Sequence, residues 1–238
     1  MKRDIDEELV WALHCENPSS ERVRELLAQG ADINASDAIT GNVLAHAVSD
    51  RRAPKEIVKF LVEHGADVTT VNRKGYPVLA QAMWNRRLEK ETVKLLVSRG
   101  ADVNAVDKNG VSVLASAVSL GGQPIDIIKC LIALGADINA ADKNGYSVLW
   151  HAASSGRGDS VEVLELLVEH GARIDPEDEG LLYAACLRGG PEVVEYLLNK
   201  GLKPSPIFGP GVPVLDTAKR FHSRQRANSV AAERGNEG

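Results

Sequence analysis

The run Asp107–Gly135, DKNGVSVLASAVSLGGQPIDIIKCLIALG, decides the fold. It opens on Asp107-Lys108-Asn109-Gly110, a turn, because Asn-Gly tolerates positive φ and an Asp side chain bonds its own backbone downstream. Ser112 stands where a helix N-cap is needed, and Val113, Leu114, Ala117 and Val118 then share one face of a short helix. Gly121-Gly122 ends that helix. Pro124 opens a second one at a position where its missing N–H is harmless, and Ile127, Ile128, Leu131 and Ile132 form the apolar stripe. Gly135 closes the unit as a left-handed C-terminal residue.

The unit repeats in both directions. Equivalent glycines stand at Gly30, Gly65, Gly100, Gly135, Gly171 and Gly201, at intervals of 35, 35, 35, 36 and 30 residues. The second-helix stripe recurs as Ile57, Val58, Leu61 and Val62, as Val93, Leu96 and Val97, as Val163, Leu164, Leu167 and Val168, and as Val193, Val194, Leu197 and Leu198. A helix pair of this size cannot bury its apolar faces alone, so the chain is an array of stacked units. His64, Arg99, His170 and Lys200 precede their glycines, where a basic group suits the negative end of a helix dipole.

At these residues the chain resembles the ankyrin-repeat family. Asp142-Lys-Asn-Gly145-Tyr-Ser-Val-Leu149-Trp-His-Ala152 follows that family's turn and first helix, Val163-Leu-Glu-Leu-Leu167 its second, and Gly100-Ala-Asp-Val-Asn-Ala105 its hairpin segment. The resemblance implies an all-α solenoid of helix-turn-helix units joined by β-hairpin loops. Two departures stand out. The family's Thr-Pro pair is Ser-Val in two copies and Tyr76-Pro77 in a third, and extra residues lie between paired helices at Arg51-Arg52-Ala53, Arg86-Arg87-Leu88, Gly121-Gly122-Gln123 and Gly156-Arg157-Gly158. The expected organisation is an N-terminal capping helix pair over 4–29, repeats over 30–200, an irregular loop and capping helix over 201–222, and a disordered tail over 223–238.

Composition agrees with a folded, thinly layered protein. Of 238 residues, 44% are hydrophobic and only 4% aromatic, so the core is built from small aliphatic side chains. A net charge of -5 excludes a uniformly basic nucleic-acid binder. Acidic residues arrive directly after Met1-Lys2-Arg3, which is not a secretory signal, and no apolar run approaches the roughly 20 residues needed to span a bilayer. The expected location is cytoplasmic, with export by a specialised apparatus left open. Cys15, Cys130 and Cys186 are odd in number and far apart, so they read as buried thiols and not as a disulfide framework or zinc site.

No catalytic constellation, phosphate loop or metal motif is present, and the histidines recur at repeat-equivalent positions, so the chain is read as a non-enzyme without cofactor or metal. Arg157-Gly158-Asp159 spells a motif of extracellular integrin ligands, but it falls between paired helices, where Asp159 or Ser160 is expected to cap the next helix. Asn34, Asn104 and Asn139 follow a leucine by eight residues, a pattern that asparaginyl hydroxylases accept; the plainer reading is an asparagine that hydrogen-bonds within its hairpin.

Family resemblance implies that a partner protein is bound by the hairpin tips and the exposed side of the first helices, along a concave groove. The corresponding residues are Arg73, Lys74, Tyr76, Trp84, Asn85, Arg86 and Arg87 in one unit, Lys108, Asn109, Val111 and Leu120 in the next, and Lys143, Asn144 and Tyr146 in a third. Lys74, Lys108 and Lys143 are expected to form a basic row, and the outer face is expected to be acidic through Glu56, Glu63, Glu91, Asp126, Glu162, Glu165, Glu169, Glu192 and Glu195. Trp84 beside Arg86 and Arg87 has the composition of an interface hot spot. The expected partner is a protein with an acidic or mixed-charge surface, met by a monomer without membrane contact. The alternatives are an inhibitor or immunity-type protein that blocks one enzyme, a host-directed effector or adaptor, and a nucleic-acid binder using the lysine row and the Lys219-Arg220-x-x-x-Arg224-x-Arg226 tail.

Overall fold

The computed structural model describes residues 4–15, 18–36, 41–72, 74–119 and 123–203. The expected capping helix after Gly201, the tail, Arg73 and Leu120 lie outside the described residues. The described chain is helical: α1 (Ile5–His14), α2 (Ser20–Ala28), α3 (Val43–Ser49), α4 (Lys55–Glu63), α5 (Val78–Ala82), α6 (Lys90–Ser98), α7 (Val113–Val118), α8 (Ile125–Ala133), α9 (Val148–Ala153), α10 (Ser160–Glu169), α11 (Glu179–Ala184) and α12 (Pro191–Asn199). These residues fall into two compact units, the first ending at Val148 and the second beginning at Leu149.

In the first unit the helices stand in two rows. One row packs α1 on α3, α3 on α5 and α5 on α7; the other packs α2 on α4, α4 on α6 and α6 on α8. Leu44, Leu79 and Leu114 from the first row and Leu26, Leu61, Leu96 and Leu131 from the second are at most 1% exposed. Each such leucine contributes about 1.5–3 kcal/mol by leaving water. The read stripes face this core, with Val97 and Ile132 half-buried at its margin.

Between successive helix pairs the chain makes a narrow hairpin, pinned by the antiparallel bridges Ser36↔Asn42, Val71↔Pro77, Val106↔Ser112 and Ala141↔Ser147. The exit residue of the hairpin starts the first helix. Asn42 and Ser112 accept from the N–H groups of Ala45 and Ala115 at 2.8 and 3.1 Å, which satisfies orphan donors, while Pro77 starts α5 without a side-chain cap. Pro124 is the residue before α8 and not its first helical residue. Asn34 and Asn104 bond within their hairpins through the backbone, donating N–H to Asp32 and Asp102 at 2.9 and 2.8 Å, while their side chains reach further and accept from the N–H of Asp67 and Asp137, one unit along, at 2.8 and 2.7 Å. They are inter-unit staples.

The helix-end basic residues act on carbonyls. His64 Nδ1 lies 2.8 Å from Phe60 O, and Arg99 Nη1 donates across to Val62 O of the preceding unit at 2.7 Å.

In the second unit α10 packs on α12, and α11 continues into a π-helical turn, Ala185–Gly189, that packs on α12. Gly189 is required there because a side chain would run into the Ala153 carbonyl. Arg157 is turned inward from its motif. It grips Asp159 with bonds of 2.7 and 2.6 Å, its own side chain is 10% exposed, and Asp159 makes no capping bond.

Candidate partner-binding surface

The hairpin tips of the first unit share one scheme. Asn72 Oδ1 accepts from the N–H of Lys74 and Tyr76, Asp107 Oδ1 from Asn109 and Val111, and Asp142 Oδ1 from Asn144 and Tyr146, all at 2.8–3.1 Å. One side-chain oxygen thus folds each tip and fixes the directions of the residues that follow. The tips touch one another: Lys143 N donates to Asn109 O at 2.9 Å and Lys143 Nζ to Lys108 O at 2.7 Å. Gly110, at φ +82°, brings its backbone so close to Lys143 N that a Cβ there would lie 2.9 Å away.

This register corrects the expected basic row. Lys108 and Lys143 share a position with Arg73, which lies outside the described residues, whereas Lys74 stands with Asn109 and Asn144 one place along. Lys74, Lys108, Asn109, Lys143, Asn144 and Tyr146 are exposed and Tyr76 and Val111 half-buried, so the tips present cations beside partly apolar positions. Among the described residues neither Lys74 nor Lys108 has a carboxylate partner.

Tyr76 and Trp84 are brought together. Their rings meet edge to face with centroids 4.9 Å apart, and Trp84 remains 38% exposed. The buried Gln81 sets this up: its Nε2 donates to Tyr76 O at 2.9 Å and its Oε1 accepts from Asn72 Nδ2 at 3.1 Å, tying hairpin to helix. Arg86 and Arg87 are exposed just beyond.

Asn85 does not belong with them. It is buried, donates to Val48 O of the preceding unit at 3.2 Å and accepts from Arg87 N at 3.0 Å. Its amide ties its own loop to the end of α3, a role that its polar neighbours in sequence conceal. Sequence reasoning also passed over Val71 and Val106, 59% and 50% exposed on the entry strands of their hairpins. The available signal was a β-branched residue at the bridging position held by Ser36 and Ala141 in the other hairpins.

The acidic outer face needs correction as well. In the first unit Arg24, Lys59, Lys94 and Lys129 recur at intervals of 35 and are all exposed, beside Glu56, Glu91 and Asp126, so that face is mixed. Arg24 lies over the Phe60 ring at 5.1 Å. In the second unit α10 and α12 carry acidic residues with no lysine or arginine among them.

Among the described residues no group of three His, Cys, Asp or Glu side chains could hold a metal ion, and no helix is long and apolar enough to cross a membrane. No curated protein sequence matches the chain. A family model described as ankyrin repeats (3 copies) matches residues 9–107 and 114–206. With its helix pairs, bridged hairpins and register of 35 residues, the chain belongs to the ankyrin-repeat family.

Proposed function

We propose that the chain is a non-enzymatic binding module whose first unit engages a partner protein of acidic or mixed charge through its hairpin tips and first helices. Ankyrin repeats are in general protein–protein interaction modules. The observation that carries the reading is the Tyr76–Trp84 pair: an exposed indole held edge to face against a tyrosine, among Lys74, Lys108 and Arg86. Large, rigid aromatics beside arginine supply contact area at little cost in ordering, which is the make-up of interface hot spots. The scaffold beneath is preorganised by Gln81 and by the oxygen-folded tips, so binding need not order it.

The test is affinity capture from the source lysate with wild type and with Tyr76→Ala/Trp84→Ala. A partner retained by wild type and lost from a variant that keeps its helical circular dichroism supports the reading. A partner held equally by both refutes it.

A further inference from the structure

Two of the loops that join first to second helices, at the opposite end of the first helices from the hairpins, carry two extra arginines each: Arg51-Arg52 and Arg86-Arg87. They are built alike. Asp50 Oδ1 accepts from Arg52 N at 2.8 Å, and Asn85 Oδ1 accepts from Arg87 N at 3.0 Å. Their charges are handled differently. Arg52 closes on the Asp50 carboxylate through bonds of 3.0 and 2.8 Å, and this contact holds the Asp50 carboxyl below its ordinary pKa. The next loop has a neutral amide where that carboxylate would be, and its one acid, Glu89, is paired with Lys55, so Arg87 has no counterpart of Asp50. The loop of the second unit again supplies one, Asp159 for Arg157. Among the described residues neither Arg51 nor Arg87 has a carboxylate partner.

Both arginines line one cleft of about 270 Å³, floored by Ala47, Val48, Val58 and Leu88. Its remaining charges, Arg52 with Asp50 and Lys55 with Glu89 (3.0 Å), are already paired. Two guanidinium groups without acids over an apolar floor make a receptor that lacks one component. Guanidinium groups recognise carboxylates by parallel N–H···O bonds, and desolvation on an apolar floor strengthens such bonds. The size suits one or two side chains and is too small for a cofactor. Glu89 in its lining and Asp50 bound to Arg52 repel a run of phosphates, which disfavours nucleic acid as the occupant.

The geometry points to a second docking site at this cleft, for an acidic side chain with an aliphatic neighbour on a partner protein, its carboxylate bridging Arg51 and Arg87. This site does not depend on the Tyr76–Trp84 surface, from which it is separately testable.

The test pans a library of short random peptides on the full chain, then measures a fluorescein-labelled selected peptide by polarisation. The expected result is enrichment of Asp or Glu beside Leu, Ile, Val or Met. Affinity is expected to fall at least about tenfold for Arg51→Ala/Arg87→Ala, and likewise when the peptide acid becomes its amide. Lys129→Ala, on the outer face, is expected to leave it unchanged. If the alanine pair lowers the melting temperature, Arg51→Lys/Arg87→Lys, which keeps charge but loses bidentate geometry, is expected to weaken the same peptide. The proposal is overturned if selected peptides lack acids, if they bind the arginine variants as tightly as wild type, or if a single-stranded oligonucleotide displaces them through the same arginines.

Discussion

Gln123 offers the sharpest test of how the units are coupled. It is fully buried in the loop before α8, and its Nε2 donates to Met83 O at 2.6 Å and to Asn85 O at 3.0 Å, both in the preceding unit. Asn85 O also accepts from Leu88 N, so it keeps a partner when Gln123 is removed. Met83 O loses the bond that, among the described residues, reaches it from the next loop. An unpaired buried carbonyl costs about 1–3 kcal/mol. Gln123→Met, which keeps most of the volume without a donor, is therefore expected to destabilise by about 1–3 kcal/mol, and Gln123→Ala by roughly 1 kcal/mol more for the space it leaves. Urea unfolding followed by circular dichroism reads this as a lowered midpoint. Because stability in a stacked array is a sum of unit and interface contributions, the loss falls on the interface between α5–α6 and α7–α8. That predicts exchange-labile amides in α7 and α8 before α3 and α4. A Gln123→Met variant within about 0.5 kcal/mol of wild type would refute the assignment of this side chain as a staple.

Further outcomes follow from other contacts. Gly189→Ala drives a methyl group into the Ala153 carbonyl, a backbone atom that cannot give way, and is expected to cost about 1–3 kcal/mol, seen as a fall of several degrees in thermal melting. Asp50 and Asp159 have carboxyl pKa values lowered by hydrogen bonds from Arg52 and Arg157. A lowered folded value gives stability that is present above the unfolded value of about 3.9 and is lost as pH falls through the folded one. The stability gap between Arg157→Ala and wild type is thus expected to be roughly 1 kcal/mol larger at neutral pH than at a pH where the Asp159 carboxyl is protonated in both folded and unfolded chains; an equal gap at both pH values would contradict this. Burial pushes the Cys186 thiol up to about 11 and raises that of Cys130. With Ellman's reagent near pH 8 both are expected to react far more slowly in the folded chain than after denaturation, and fast labelling of Cys186 would contradict its burial.

Much of this structure was legible because the repeat enforces it. The glycines at Gly65, Gly100 and Gly135 sit at φ +94°, +103° and +92°, and a residue without a Cβ is the economical choice there, so they announce helix ends directly. Ser112 read as a cap and is one. The loops were opaque for the opposite reason: polar residues in an inter-helix insertion look solvent-facing, and burial of Asn85 and Gln123 arises only when one loop settles on the next. The hairpin asparagines misled similarly, since a bond from Asn104 to Asp137 spans 33 residues. The cationic series Arg24, Lys59, Lys94 and Lys129 was legible in its spacing, yet the acidic residues interleaved with it drew the reading. No local pattern signals the π-helical turn at Ala185–Gly189, which follows from the close approach of Gly189 to Ala153.

A repeat protein contains its own comparison set, because positions that stacking requires must recur and positions that it does not require are free to differ. Leu44, Leu79 and Leu114 recur at 35 residues, as do the tip residues Asn72, Asp107 and Asp142, which fold each turn with one oxygen. Against that background the departures gather in one stretch. Trp84 stands where Ser49 and Ser119 occupy the same place, Val71, like Val106, where Ser36 does, and Asn85 where Asp50 would have neutralised the arginine that follows. Trp84 is not needed for stacking, since both sibling units carry serine in its place, whereas Asn85 also ties its loop to Val48 of the preceding unit. Trp84 and Val71 expose apolar surface, and Asn85 leaves Arg87 uncompensated, which are costs for an isolated protein and gains for one that meets a partner. The repeat spanning Val71 to Thr92 is accordingly where substitution would separate binding from folding, with Tyr76 and Trp84 at one surface and Arg87 at the other.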